Sequence, residues 1–309
     1  MDTDYPFLSL ASIFEYRDPS ETKVSFPDGS SFAYGCDTFK ADRGVIAFED
    51  QPALVVRIVC ARSGRPSPGS VIWVQGGPFG SFDPNLPAEL SALVSLGYEA
   101  YFPLYPGSGG EHEYAVEGGA DGTKISRMSP DMDQAVAELT AVIRSRQQAG
   151  PVVLVGNSFG ALPAAIASPA LRDGDRLVLL DPMLKTPREG LLSPGGYTLP
   201  AVMLGEKNIA GGMSKSENEA LSGEILRALL GRWLDENVET VLARSAPANI
   251  VVVYGDKDAR IGLERMPRLL AQHGGRYRSL VLEESDHAGA ISRAQLEKFI
   301  QAAAPATGE

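Results

Sequence analysis

Residues 151–167 read Pro151-Val152-Val153-Leu154-Val155-Gly156-Asn157-Ser158-Phe159-Gly160-Ala161-Leu162-Pro163-Ala164-Ala165-Ile166-Ala167. The opening run of β-branched and apolar side chains suits a strand buried on both faces, and the closing run of small apolar residues suits a helix lying close against it. Between them, Gly156 to Gly160 forms a G-x-S-x-G on a sharp strand-to-helix turn. In such a turn the glycines leave room for a strained backbone that holds a serine hydroxyl above the sheet. In a chain with 33 glycines the bare pattern carries little weight. Its setting carries the argument, because an accidental pattern has no reason to follow a buried strand and open a helix. Ser158 is therefore the candidate nucleophile.

The 309 residues are enough for one large domain with a substantial core. With 28 basic against 39 acidic residues and a formal charge of -11, no Lys/Arg stripe offers a track for phosphates, so no nucleic-acid partner is expected. The two cysteines, Cys36 and Cys60, are too few for a disulfide framework; they read as free buried thiols, which fits a reducing compartment. Met1 to Pro6 carry acid where a signal peptide carries base, and no apolar run reaches the length of a membrane span. A cytoplasmic protein without membrane association is expected.

Outward from residues 151–167, short apolar runs alternate with helical patterns. Residues 1–20 show weak periodicity and receive no role. From Lys23 to Ala61, short alternating runs around turn signals, at Lys23 to Phe26, Ser31 to Tyr34, Gly44 to Phe48 and Ala53 to Ala61, predict antiparallel strands. Val71 to Val74 then predicts a short buried strand ending in the glycine loop Gln75 to Gly80. A helix over 87–95 stopped by Gly97, a strand over 98–104, and a helix opened by Ser129-Pro130-Asp131 follow. Beyond the elbow, strands are expected at Arg176 to Leu180, Ile250 to Tyr254 and Ser279 to Leu282. This alternation predicts a mostly parallel sheet covered on both faces, with its ligands beyond the carboxyl ends of the strands. Gln75, Ser158, Asp258 and His287 all fall at those ends.

Residues 183–245 are too long for an ordinary connection and read as an insertion within a single domain spanning 1–309. Leu221, Ile225, Leu229 and Trp233, beside Leu226, Leu230, Leu234 and Val238, make two adjacent rows on one helix face. That face could pack on the body, form a homodimer contact, or line an acyl pocket with Trp233.

A serine hydroxyl needs an imidazole to take its proton and a carboxylate to orient that imidazole. Of three histidines, His273 sits at a helix end as a capping choice and His112 in the polar loop Glu111-His112-Glu113. His287, in a loop after the last strand, is the candidate base. Asp258, just past the Ile250 strand, is the preferred acid. Asp181 is the second choice, because Pro182 after it suggests a plain chain exit. The oxyanion hole is expected from the Phe159 N–H at the helix start and the Gly77 N–H in the glycine loop, Pro78 having none. Phe79, the alternative donor, is also a candidate substrate contact.

At these residues the chain resembles the catalytic domain of the prolyl-oligopeptidase family, within the α/β-hydrolase superfamily. Gln75-Gly76-Gly77-Pro78 is similar to that family's H-G-G-P, and Gly97-Tyr98 through Tyr105 to Gly110 to its G-Y…N-Y-R-G-S-x-G. The elbow, the Gly255 to Asp258 acid loop and His287 also correspond, in the chain order Ser, acid, His, which differs from the chymotrypsin and subtilisin orders. The resemblance covers residues 22–300 apart from the insertion. It implies an α/β-hydrolase fold with an antiparallel N-terminal part, here carrying a cap insertion. Gln75 stands where that family has histidine, Pro106 where it has arginine, and Ala161 where a second glycine is common. No propeller domain is expected ahead of the catalytic part, and the insertion is expected to set substrate choice in its place.

Together these readings predict a serine hydrolase acting on a small ester, amide or short peptide through an acyl-enzyme, with no metal or organic cofactor. A thioesterase or acyl-transferring cyclase would use the same three residues. A non-catalytic binding protein of the same fold would have no need of all three.

Overall fold

The computed structural model describes residues 7–16, 23–25, 29, 31–33, 38–49, 51–61, 67–76, 86–104, 116–117, 124–125, 132–192, 215–271, 277–287 and 292–303. Its strands in chain order are β1 (Leu8–Tyr16), β2 (Lys23–Ser25), β3 (Ser31–Ala33), β4 (Thr38–Phe48), β5 (Gln51–Ala61), β6 (Ser70–Val74), β7 (Glu99–Pro103), β8 (Val116–Glu117), β9 (Lys124–Ile125), β10 (Val152–Asn157), β11 (Arg176–Leu180), β12 (Ile250–Gly255) and β13 (Tyr277–Leu282). Nine of them form one sheet in the order β1-β4-β5-β7-β6-β10-β11-β12-β13. From β1 to β7 neighbours are antiparallel, and from β7 onward they are parallel. The pairs β2·β3 and β8·β9 are separate ribbons.

The central strands read as unbroken apolar runs because both their faces are covered. Every residue of β6 and β11 is buried. The two-residue period sends Ile72, Val74, Leu154 and Leu179 to one face, where α2 (Met132–Arg146) and α3 (Ala161–Ala167) pack. Val71, Trp73, Val153, Val155 and Val178 go to the other, against α1 (Ala88–Ser95) and the helix Arg293–Ala303. Helix α1 stops where expected: Gly97 takes φ 100° and its N–H donates to the Val94 carbonyl.

Three features differ from the sequence expectation. Residues 8–16, given no role, form the edge strand β1. Its register on β4 shifts twice, between Ser9 and Ala11 and between Ser12 and Phe14, and those bulges scramble the alternation that would have announced a strand. β4 begins six residues earlier than the apolar pattern suggests, because Asp42 is buried in an ion pair with Lys40 and hides its strand character. Finally, Cys60 is disulfide-bonded rather than a free thiol. Cys36, the only other cysteine of the chain, lies outside the described residues. The thiol argument for a reducing compartment therefore falls. Among the described residues no helix is long and apolar enough to cross a membrane.

The described parts of the insertion are docked on the body. Helix Lys215–Leu230 buries Leu226, Leu229 and Leu230 in the same core as Phe159, Leu162 and Met183. Its short continuation binds across to α2: the Trp233 indole N–H and the Arg232 guanidinium both donate to Asp133. Arg188 pairs with Asp235, and Arg265 with Glu189, whose carboxyl that guanidinium holds down to about 2.

The bonded state of Cys60 is checked by thiol titration in denaturant. The unreduced protein is expected to show no reactive thiol and the reduced protein two; two thiols before reduction would restore the free-cysteine reading.

Candidate active site

β10 ends at Asn157, a single 3₁₀ turn covers Ser158 to Gly160, and α3 follows at once. Ser158 has φ 52°, a left-handed backbone that few non-glycine residues adopt. The flanking glycines are required by space. A Cβ on Gly156 would stand 2.6 Å from Ala161 Cα and 2.7 Å from Ala164 Cβ, and one on Gly160 would fall onto the Val74 and Gln75 carbonyl oxygens. Gly76, at the end of β6 next to β10, comes so close that a Cβ there would lie 2.8 Å from Ser158 Cβ. The elbow is thus wedged between its own helix and the neighbouring strand.

The Ser158 hydroxyl lies 2.8 Å from His287 Nε2, and His287 Nδ1 lies 2.7 Å from Asp258 Oδ2. Asp258 is fully buried, and its other oxygen accepts from the Arg260 N–H at 2.9 Å. A carboxylate only accepts, so the ring proton belongs on Nδ1, which leaves Nε2 as the acceptor for the serine O–H. This arrangement can take a proton from Ser158 and stabilise the imidazolium that results.

The loops carrying Asp258 and His287 are laced together. The Asp256 N–H donates to Leu282 O at 3.2 Å and the Lys257 N–H to Ser285 O at 2.9 Å, while Asp256 Oδ1 accepts from the Ser285 N–H at 3.3 Å. Lys257 and Glu284 add an exposed ion pair.

Asp181 is engaged with the backbone of the neighbouring strand. It is buried with φ 42°, and its Oδ1 accepts from the Gly255 N–H at 2.9 Å. Glu89, in the first turn of α1, is coupled to it: burial pushes the Glu89 carboxyl up to about 7, with the Asp181 charge adding and a backbone hydrogen bond opposing. Sequence reading missed Glu89, because an acid in a first helical turn passes for an ordinary dipole partner. Gln75, where the resembled family has histidine, accepts from the Trp73 indole N–H at 3.0 Å. Phe159 is buried at the turn. Trp233 is engaged with Asp133 and lies under the Arg232 guanidinium, 4.7 Å from its ring centre. Gly77, Phe79, His112, His273 and the Ser129 to Asp131 cap lie outside the described residues.

Residues 71–302, from β6 to the last helix, match the alpha/beta hydrolase family. The chain belongs to that family. Solved structures agree on the alpha/beta hydrolase fold. An α/β serine hydrolase without lid from Xanthomonas campestris is 15% identical, with a TM-score of 0.51 over 87% of this chain and 97% of that one. The acylaminoacyl peptidase of Pyrococcus horikoshii is 14% identical, with a TM-score of 0.51 over 88% of this chain and 43% of that one. A search of curated protein sequences finds no match.

The Glu89 shift has a sign that can be measured. Its pKa is raised on folding, so the folded state binds the proton more tightly, and Glu89 destabilises increasingly as pH climbs from the ordinary carboxylate range through about 7. Glu89→Gln is expected to raise Tm over the native protein at pH 8 and to match it near pH 5. An equal difference at both values would place the Glu89 carboxyl in water.

Proposed function

We propose that this protein is a serine hydrolase that cleaves a small ester, amide or short peptide through an acyl-enzyme on Ser158. The observation that carries the reading is the continuous path from the Ser158 hydroxyl through both nitrogens of His287 to a buried Asp258 carboxyl, with links of 2.8 and 2.7 Å. His287 Nε2 takes the hydroxyl proton as Ser158 Oγ attacks the substrate carbonyl carbon, and the carbonyl electron pair moves onto oxygen. The Phe159 N–H is the oxyanion donor we assign at the elbow, with Gly77 as the second. Collapse of the tetrahedral adduct expels the alcohol or amine, which leaves with the proton from Nε2. Water then gives its proton to the same nitrogen, attacks the acyl carbon and releases the acid.

The insertion 183–245 is assigned the role of a roof that selects the acyl group. Its attachment supports this, since it leaves β11 at the sheet edge where β10 ends in the elbow. Its docked helix makes that roof a fixed wall, with Trp233 tied to α2 at the wall's base.

A panel of p-nitrophenyl esters, acyl thioesters and aminoacyl anilides, differing in acyl length, tests both statements. Ser158→Ala is expected to abolish turnover of every substrate, and Asp258→Asn to lower kcat by about 10³ to 10⁴. Turnover surviving in Ser158→Ala would refute the nucleophile. Trp233→Ala is expected to change the ranking of kcat/KM across acyl lengths; equal losses throughout would remove the insertion from substrate choice.

A further inference from the structure

In a parallel ladder, one residue donates its N–H to the strand beside it and accepts, through its own carbonyl, from the residue two further along that strand. The pairing of β11 with β12 runs regularly to Leu180 opposite Val253. At the next position Asp181 still donates its N–H to Val253 O, at 2.7 Å. Its carbonyl would then be due the Gly255 N–H. Instead φ turns to 42°, and the Gly255 N–H donates to the side-chain Oδ1, at 2.9 Å. A side-chain oxygen has taken the place of a backbone one.

That exchange lets the chain leave the sheet one residue early without orphaning a buried donor. The departing backbone crosses to the elbow, where the Met183 N–H donates to the carbonyl of Ser158 at 3.2 Å, and then to the Leu184 N–H bond with Ile261 O at 2.8 Å. Gly255, held by Asp181, opens the turn that presents Asp258, whose N–H donates back to Gly255 O at 3.3 Å. On its other side Gly255 is pressed against the His287 loop, so that a Cβ there would meet the Ser285 carbonyl. The acid and base loops are laced to one another, and Asp181 ties that laced pair to the segment that touches the nucleophile turn.

We infer that Asp181 is a positioning residue: its side chain completes the β11–β12 ladder in place of its own carbonyl, and thereby sets the placement of Asp258 and His287 against Ser158. This rests on reading Ser158, His287 and Asp258 as the catalytic set. The charge of Asp181, felt by Glu89, strengthens the bond to Gly255 but is secondary to the acceptor itself.

The test compares the native protein with Asp181→Ala, Asp181→Leu and Asp181→Asn, by the rate of fluorophosphonate labelling at Ser158 and by kcat and KM on the best ester, per active site titrated. Removing the acceptor in Asp181→Ala or Asp181→Leu is expected to slow labelling and kcat by about 10- to 100-fold, the scale of a misplacement near 1 Å, with KM within about threefold. Asp181→Asn keeps an oxygen at the same place and is expected to recover to within about fivefold of native. Native rates in a folded acceptor-free variant would overturn the inference, as would an Asp181→Asn as slow as those variants or as Asp258→Asn. Should both acceptor-free variants fail to fold, the Asp181→Asn rate decides alone. If the native protein itself is not labelled at Ser158, the catalytic reading falls.

Discussion

Everything at the site depends on a turn that has no room to relax. Ser158 stands at φ 52° between a strand buried on both faces and a helix that begins three residues later, with Gly160 against the carbonyls of β6 and Gly156 against the first turn of α3. A left-handed backbone at a non-glycine residue costs on the order of 1–3 kcal/mol and persists only where its surroundings impose it. Here the imposing groups are backbone atoms of two adjacent strands and a helix whose alanines leave no slack. The strain is held by buried, close-packed backbone, which sets the place of the hydroxyl.

The other two side chains reach Ser158 by a different principle. Asp258 and His287 lie on turns beyond β12 and β13, where the ladder has ended, and their precision comes from hydrogen bonds between the turns. Behind them sit Asp181 and Glu89, two acids within electrostatic reach of each other, one answering a backbone N–H and the other drawn toward its neutral form. With its carboxyl raised to about 7, Glu89 is partly protonated near neutral pH, which lessens the second negative charge beside Asp181. The sheet order makes this convergence unavoidable, because β6, β10, β11, β12 and β13 are parallel neighbours and deliver their following loops to one edge.

Much of this was legible in the chain. Val152 to Ala167 announced strand, turn and helix because burial on both faces leaves no polar residue to blur the pattern; Asp258 follows a similarly plain strand, whereas His287 follows one that exposes Arg278, Ser279 and Val281 and shows only a short apolar run. What stayed hidden has physical reasons. β1 carries two bulges, and its exposed Leu8 and Leu10 break the inside-outside rule on which strand reading depends. The bonded state of Cys60 is not disclosed by residue type, since two cysteines in a chain read equally well as free thiols. Asp181 looked like an exit beside Pro182; its real partner is a backbone N–H on another strand, 74 residues away, and backbone partners leave no trace in residue type. Trp233 was assigned to an apolar row by its spacing, yet its indole N–H also meets Asp133 on α2, a pairing that needs the tertiary fold to be seen.

The claim on which all of this turns is that Ser158 becomes covalently acylated during turnover. Quenching the native protein in acid within milliseconds of mixing with p-nitrophenyl acetate, followed by mass mapping of peptides, addresses it without relying on an inhibitor. One acetyl group is expected per chain, on the peptide carrying Ser158, decaying at the rate at which acetate is released. Turnover with no adduct on that peptide when acylation is faster than deacylation, or with the acetyl group on another residue, would contradict the account.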